Sequence, residues 1–119
     1  MRSLGIADIV VHADGQKPLE AYEAYMEATG GRLADFSVNT VNVPNTELSS
    51  VMVTKDTGMI YFFSMSTDFA KASLGAEGIK KYVPMLIGNG YYPGHAEIAF
   101  DIVRREEKLR KYLEERYCK

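Results

Sequence analysis

Apolar residues in this chain fall into short blocks that follow two rhythms. From Leu4 to Val11 the residues are small, apolar and β-branched, broken only by Asp8, and Asp14-Gly15 follows as a turn signal, which predicts a first strand. Leu19, Tyr22, Tyr25 and Met26 then recur at helical spacing. Pro18 suits a first helical turn and Gly30-Gly31 a left-handed stop, so a helix is expected over residues 17–29. Arg32 to Val43 is rich in β-formers until Pro44 removes a ladder donor, predicting a second strand. Leu48 to Thr54 and Met59 to Ser66 are two more such runs. The Lys55-Asp56-Thr57-Gly58 segment between them has the composition of a turn, which predicts a β-hairpin.

Thr67-Asp68 can cap a helix running to Leu74, and Glu77 to Ile87 predicts a second helical piece, kinked at Pro84. Gly88 to Gly94, with three glycines and a proline, must be a loop. Residues 95–103 suit two readings. Ala96, Ile98, Phe100 and Ile102 alternate as in a strand, while Ile98, Ile102, Leu109 and Leu113 also fit a helix; the strand reading is preferred. Arg104 to Tyr117 is expected to be an amphipathic terminal helix. The resulting order points to an α+β fold: a ferredoxin-like split βαβ plait with an extra hairpin strand and a C-terminal helix, in one domain over residues 1–119.

In such a plait the first and last strands are antiparallel neighbours. That pairing would bring His12 beside His95, with Glu97 near and Tyr91 and Tyr92 overhead. These four residues, His12, Tyr91, Tyr92 and His95, are the candidate ligand-binding set, since imidazole titrates near neutral pH and loop phenols can hydrogen-bond a small molecule. The same groups also suit a solvated sheet face and a packed turn. The strands carry apolar residues on both faces, so one face is expected on the helices and the other against the terminal helix or a second subunit. A homodimer is the expected arrangement.

Charge and composition narrow the classes. Fourteen basic against sixteen acidic residues leave a net charge of −2, which offers no general attraction to nucleic acid. The single cysteine, Cys118, excludes an intramolecular disulfide and fits a cytoplasmic setting. No apolar run approaches a membrane span or a signal peptide. Gly88-Asn89-Gly90 and Gly75-Ala76-Glu77-Gly78 match neither the phosphate-loop nor the three-glycine dinucleotide fingerprint, and the serines lack a nucleophile elbow.

The opening Gly5-Ile6-Ala7-Asp8-Ile9-Val10-Val11, followed by Leu19-Glu20-Ala21-Tyr22 and Gly30-Gly31, resembles the start of a vicinal-oxygen-chelate module. Val51 to Ser66 resembles its closing strands, and Gly94-His95-Ala96-Glu97-Ile98-Ala99-Phe100-Asp101 the opening of a second module of glyoxalase and epimerase relatives. The resemblance implies a βαβββ module as the alternative fold, with a divalent metal held at Asp8 and Glu97. Asp8 departs from the usual histidine, and the strands that would complete the second module are missing. Three functional readings follow: a small-molecule-binding cytoplasmic dimer, a metal-assisted isomerase, epimerase or lyase, and a non-catalytic interaction module.

Overall fold

The computed structural model describes residues 2–88 and 90–118. Among these the chain forms five α-helices and one three-stranded parallel sheet, an α+β architecture of the class its sequence suggests. The residues group into two units, Val11–Asn89 and a second made of Met1–Val10 with Gly90–Lys119. No helix among the described residues is long and apolar enough to cross a membrane.

The Val11–Asn89 unit holds the sheet. Helix α1 spans Pro18–Thr29, begins on the proline, whose missing N–H costs nothing there, and ends where Gly30 turns left-handed at φ 66°. Strand β1 (Ala34–Asn39) leads through Pro44 to helix α2 (Glu47–Val53), which runs directly into strand β2 (Thr54–Phe62). Helix α3 (Phe69–Gly78) starts at Asp68, whose carboxylate accepts the Lys71 N–H, and strand β3 (Met85–Ile87) follows. The strands lie in the order β1-β2-β3, all parallel, with Val38 opposite Tyr61 and Tyr61 opposite Leu86. Helix α2 packs against both α1 and α3, giving one helical layer. Between that layer and the sheet lies the core, where Val51 of α2, Ile60 and Phe62 of β2, and Ala72 and Ala76 of α3 meet Val83.

Side chains alternate along a strand, so if Ile60 and Phe62 face the helices their neighbours face away. That second face carries Phe36 and Val38 of β1, Met59 and Tyr61 of β2, and Leu86 of β3. Phe36, Val38 and Leu86 are 55%, 50% and 55% exposed. Apolar residues occupy both faces of β2, as expected for Met59–Phe62, whereas Leu4–Val11, read in the same way, forms no strand.

Several elements differ from expectation, each for a local reason. The first strand expected over residues 4–11 is a 3-10 turn at Arg2–Leu4 followed by irregular chain; Gly5 is left-handed at φ 64°, which breaks an extended run. The expected hairpin is instead α2 followed by β2. Leu48, Val51 and Met52 have helical spacing as well as β-forming side chains, and burial of Val51 with Leu48 against the core outweighs propensities of a few tenths of a kcal/mol. The expected turn at Lys55–Gly58 lies inside β2, because Gly58 lets the strand pass close to the backbone of Asp35. The helical piece expected over residues 77–87 ends with α3 at Gly78, and the Pro84 carbonyl accepts the Ile60 N–H at 2.9 Å, leading into β3.

In the second unit, residues 95–103 are helical. Helix α4 spans His95–Arg105, with Glu97 in its first turn and Arg104 and Arg105 in its last, a charge order that complements the helix dipole. Glu106 interrupts it, and helix α5 (Glu107–Tyr117) completes the expected terminal helix. The Arg110 guanidinium reaches back 2.9 Å to the Arg104 carbonyl and ties the pair together. With residues 4–11 irregular and 95–103 helical, the antiparallel pair at the centre of the expected plait does not form, and the sheet is parallel throughout.

Candidate functional site

Parallel β-α units collect their loops at the carboxyl ends of the strands, and the chain there must satisfy its own backbone before it can bind anything. At the end of β1 this falls to Asn39, which is buried. Its amide nitrogen donates to the hydroxyl oxygens of Thr46 and Ser50 at 3.0 Å each. Its carbonyl oxygen accepts the Val41 N–H at 3.1 Å, which turns the chain out of the sheet. The polar line continues inward: Thr54 donates its hydroxyl to the Ser50 carbonyl at 2.7 Å and lies 2.6 Å from the Ser37 hydroxyl. Among the described residues no buried side-chain nitrogen or oxygen lacks a partner.

A second wall comes from the turn before α1. The Asp14 carboxylate accepts the Gln16 N–H, the Gln16 amide donates to the Pro44 carbonyl at 3.0 Å, and the Ser49 hydroxyl donates to the Gly15 carbonyl at 2.6 Å. These bonds fasten the turn to the start of α2. Between the walls lies a cavity of about 370 Å³, bordered by Asp14, Gln16, Asn39, Thr40, Val41 and Ser49 among others. That volume lies within the range of small-molecule pockets. Among the described residues no lysine or arginine lines it, and Asp14 is its one carboxylate.

The sequence-predicted residues fall elsewhere. His12 lies in the Val11–Asn89 unit, one residue before Ala13 in the cavity wall. Tyr91, Tyr92 and His95 come together in the other unit: the rings of Tyr91 and His95 have centroids 5.2 Å apart, and His95 Nδ1 lies 2.9 Å from the Tyr92 carbonyl oxygen. The pairing that was to bring His12 to His95 needed two strands, and neither forms. Asp8 lies in irregular chain and Glu97 in the first turn of α4. Among the described residues no three His, Cys, Asp or Glu side chains are grouped so as to hold a metal ion. Of the two glycine-rich segments, Gly75 to Gly78 belongs to α3, and Asn89 of the other lies outside the described residues.

Sequence reasoning missed Asn39, Thr46, Ser49 and Ser50. The available signal was Pro44-Asn45-Thr46-Glu47, a helix-start pattern in which Thr46 does occupy the N-cap position of α2.

An open parallel α/β sheet with a cavity at the carboxyl end of a strand is an architecture that many nucleotide- and cofactor-binding proteins share. No protein-family model matches the chain. Over 114 residues, 96% of its length, it is 49% identical to the L-erythro-3,5-diaminohexanoate dehydrogenase of Acetoanaerobium sticklandii. Over 108 residues it is 44% identical to the protein of the same name from Fusobacterium nucleatum subsp. nucleatum. The chain spans 33% and 31% of these two proteins, so it covers about a third of the length of the curated relatives it matches.

Proposed function

We propose that this chain forms part of a cytoplasmic dehydrogenase of diamino acids, and that the cavity at the end of β1 receives the ribose portion of a nicotinamide dinucleotide. The observation that carries the reading is the position of the cavity, at the carboxyl end of a parallel strand, in a chain matched over nearly its whole length by two proteins named as dehydrogenases. By the relatives' names, the reaction is oxidation of L-erythro-3,5-diaminohexanoate.

The lining fits one part of such a cofactor and not another. A pyrophosphate asks for cationic side chains or a glycine-rich helix start, and among the described residues the wall holds no lysine or arginine. Sugar hydroxyls are donors that a carboxylate accepts, and Asp14 and Thr40 border the space. When bound, the nicotinamide supplies the hydride acceptor. The residues of this chain bind and orient the sugar, while the Asn39 network keeps the rim in shape.

Backbone amide NMR of the purified chain titrated with NAD⁺ and with adenosine tests this. Shifts centred on Asp14, Thr40, Val41 and Ser49 are expected, weakened several-fold in Asp14→Asn and abolished in Val41→Trp, which fills the cavity. Shifts absent at these positions, or unchanged in Val41→Trp, would overturn it.

A further inference from the structure

A second cavity, of about 590 Å³, lies within the Val11–Asn89 unit and shares no lining residue with the one at the end of β1. One wall is a stripe of α3, on which Phe69, Ser73, Ala76 and Glu77 recur at helical spacing. The other is the connection from α3 into β3, which brings Lys80 to Val83 to the same space, with Met85 at the start of the strand. The chain turns sharply to do this. The Glu77 and Ala76 carbonyls accept the N–H groups of Lys80 and Lys81 at 3.0 and 2.9 Å, and Lys80 is left-handed at φ 54°, a conformation usual for glycine or asparagine.

The lining combines apolar surface with a surplus of positive charge. Ala76 and Val83 are buried, while Phe69 and Tyr82 are 71% and 86% exposed, so buried aliphatic groups and two exposed rings border one space. Lys80 and Lys81 against Glu77 leave one positive charge in excess, on a chain whose net charge is −2. Among the described residues neither lysine forms an ion pair. The Lys81 ammonium donates to the Met52 carbonyl at 3.1 Å, which leaves two of its three N–H donors for another acceptor. Burial holds that ammonium below the usual lysine range, against the opposing charge of Asp56, so an anion beside it would relieve a desolvated charge.

We propose that this cavity binds a small monocarboxylate with an apolar body, its carboxylate taken by Lys80 and Lys81 and its body by Phe69, Val83 and Met85. Charged acceptor oxygens suit ammonium donors that have no carboxylate of their own, and an apolar body suits the rest of the lining. One positive charge in excess matches a monoanion, and Glu77 disfavours a second negative group such as that of a dicarboxylate. The proposal does not depend on what occupies the cavity at the end of β1.

Backbone amide NMR of the whole chain, titrated separately with hexanoate, with hexanamide and with adipate, tests it. Saturable shifts centred on Ser73, Lys80, Lys81 and Val83 are expected with hexanoate, and the neutral amide and the dicarboxylate are expected to bind more than about tenfold more weakly. Lys80→Met and Lys81→Met are each expected to weaken hexanoate about threefold. Ser73→Trp, at an exposed position of α3, puts a ring into the space and is expected to abolish the shifts. Should Lys81→Met, which loses the bond to Met52, fail to fold, the exposed Lys80→Met decides. Absence of saturable shifts at these positions overturns the proposal. So does hexanamide or adipate binding as tightly as hexanoate, or hexanoate binding unchanged in Lys80→Met or in Ser73→Trp. Shifts confined to Asp14, Thr40, Val41 and Ser49 overturn it too, since the carboxylate then occupies the other cavity.

Discussion

Asn39 serves three partners from one buried side chain, which makes it the residue on which the rim of the cavity depends. Asn39→Ala leaves the Thr46 and Ser50 hydroxyls without their donor and the Val41 N–H without its acceptor. A loss of about 1–3 kcal/mol in urea unfolding is expected. Glu47 plays a similar part further along: nearly fully buried in the first turn of α2, it accepts the Asp68 N–H at 2.9 Å and so fixes the residue that caps α3. Glu47→Gln keeps an acceptor oxygen and Glu47→Ala does not, so the glutamine variant is expected to retain most of the stability that the alanine variant loses, about 1–3 kcal/mol by thermal or urea unfolding. On the surface, the hydrogen bond and charge of the Lys55 ammonium hold the Asp35 carboxyl below its ordinary range. A depressed folded-state value means that the pair's contribution is present above the ordinary carboxylate range and is lost as pH falls through the lowered value. Lys55→Met is expected to return the Asp35 titration, followed by carboxyl NMR, toward the ordinary value.

At the scale of elements, the parts legible in the sequence were those fixed by local chemistry. Helix α1 has its proline and its glycine, α3 has its aspartate cap, and each begins where that residue dictates. What could not be read was decided by packing. Leu48–Val53 is β-forming by composition and becomes helix because Val51 has a core to enter; residues 95–103 alternate and spiral equally well on paper. The candidate site was legible only in part, since Asp14-Gly15 was visible as a turn while the role of Asn39 depends on α2 lying beside β1. Gly58 is the clearest element-scale case. A Cβ there would sit 2.5 Å from the Asp35 carbonyl oxygen and 3.0 Å from that of Lys55, beside the irregularity in the β1–β2 register. Gly58→Ala is therefore expected to force the two strands apart and to cost about 1–3 kcal/mol in an unfolding measurement, although the residue reads as a turn glycine in sequence.

For the whole molecule, the two faces of the sheet have opposite fates. The helix-side face carries the core, while Phe36, Val38, Met59 and Leu86 on the other are exposed. Val38→Lys with Leu86→Lys is expected to leave circular dichroism unchanged while lowering the binding of a hydrophobic dye several-fold, whereas the same change at Leu74 leaves dye binding nearly as it was. The order of the strands has a separate consequence. They stand side by side in the sequence in which they are encoded, β1 then β2 then β3. A chain leaving the ribosome therefore presents each new strand to a neighbour already synthesised, and the sheet can lengthen one strand at a time, never holding a gap open for a segment still to be translated.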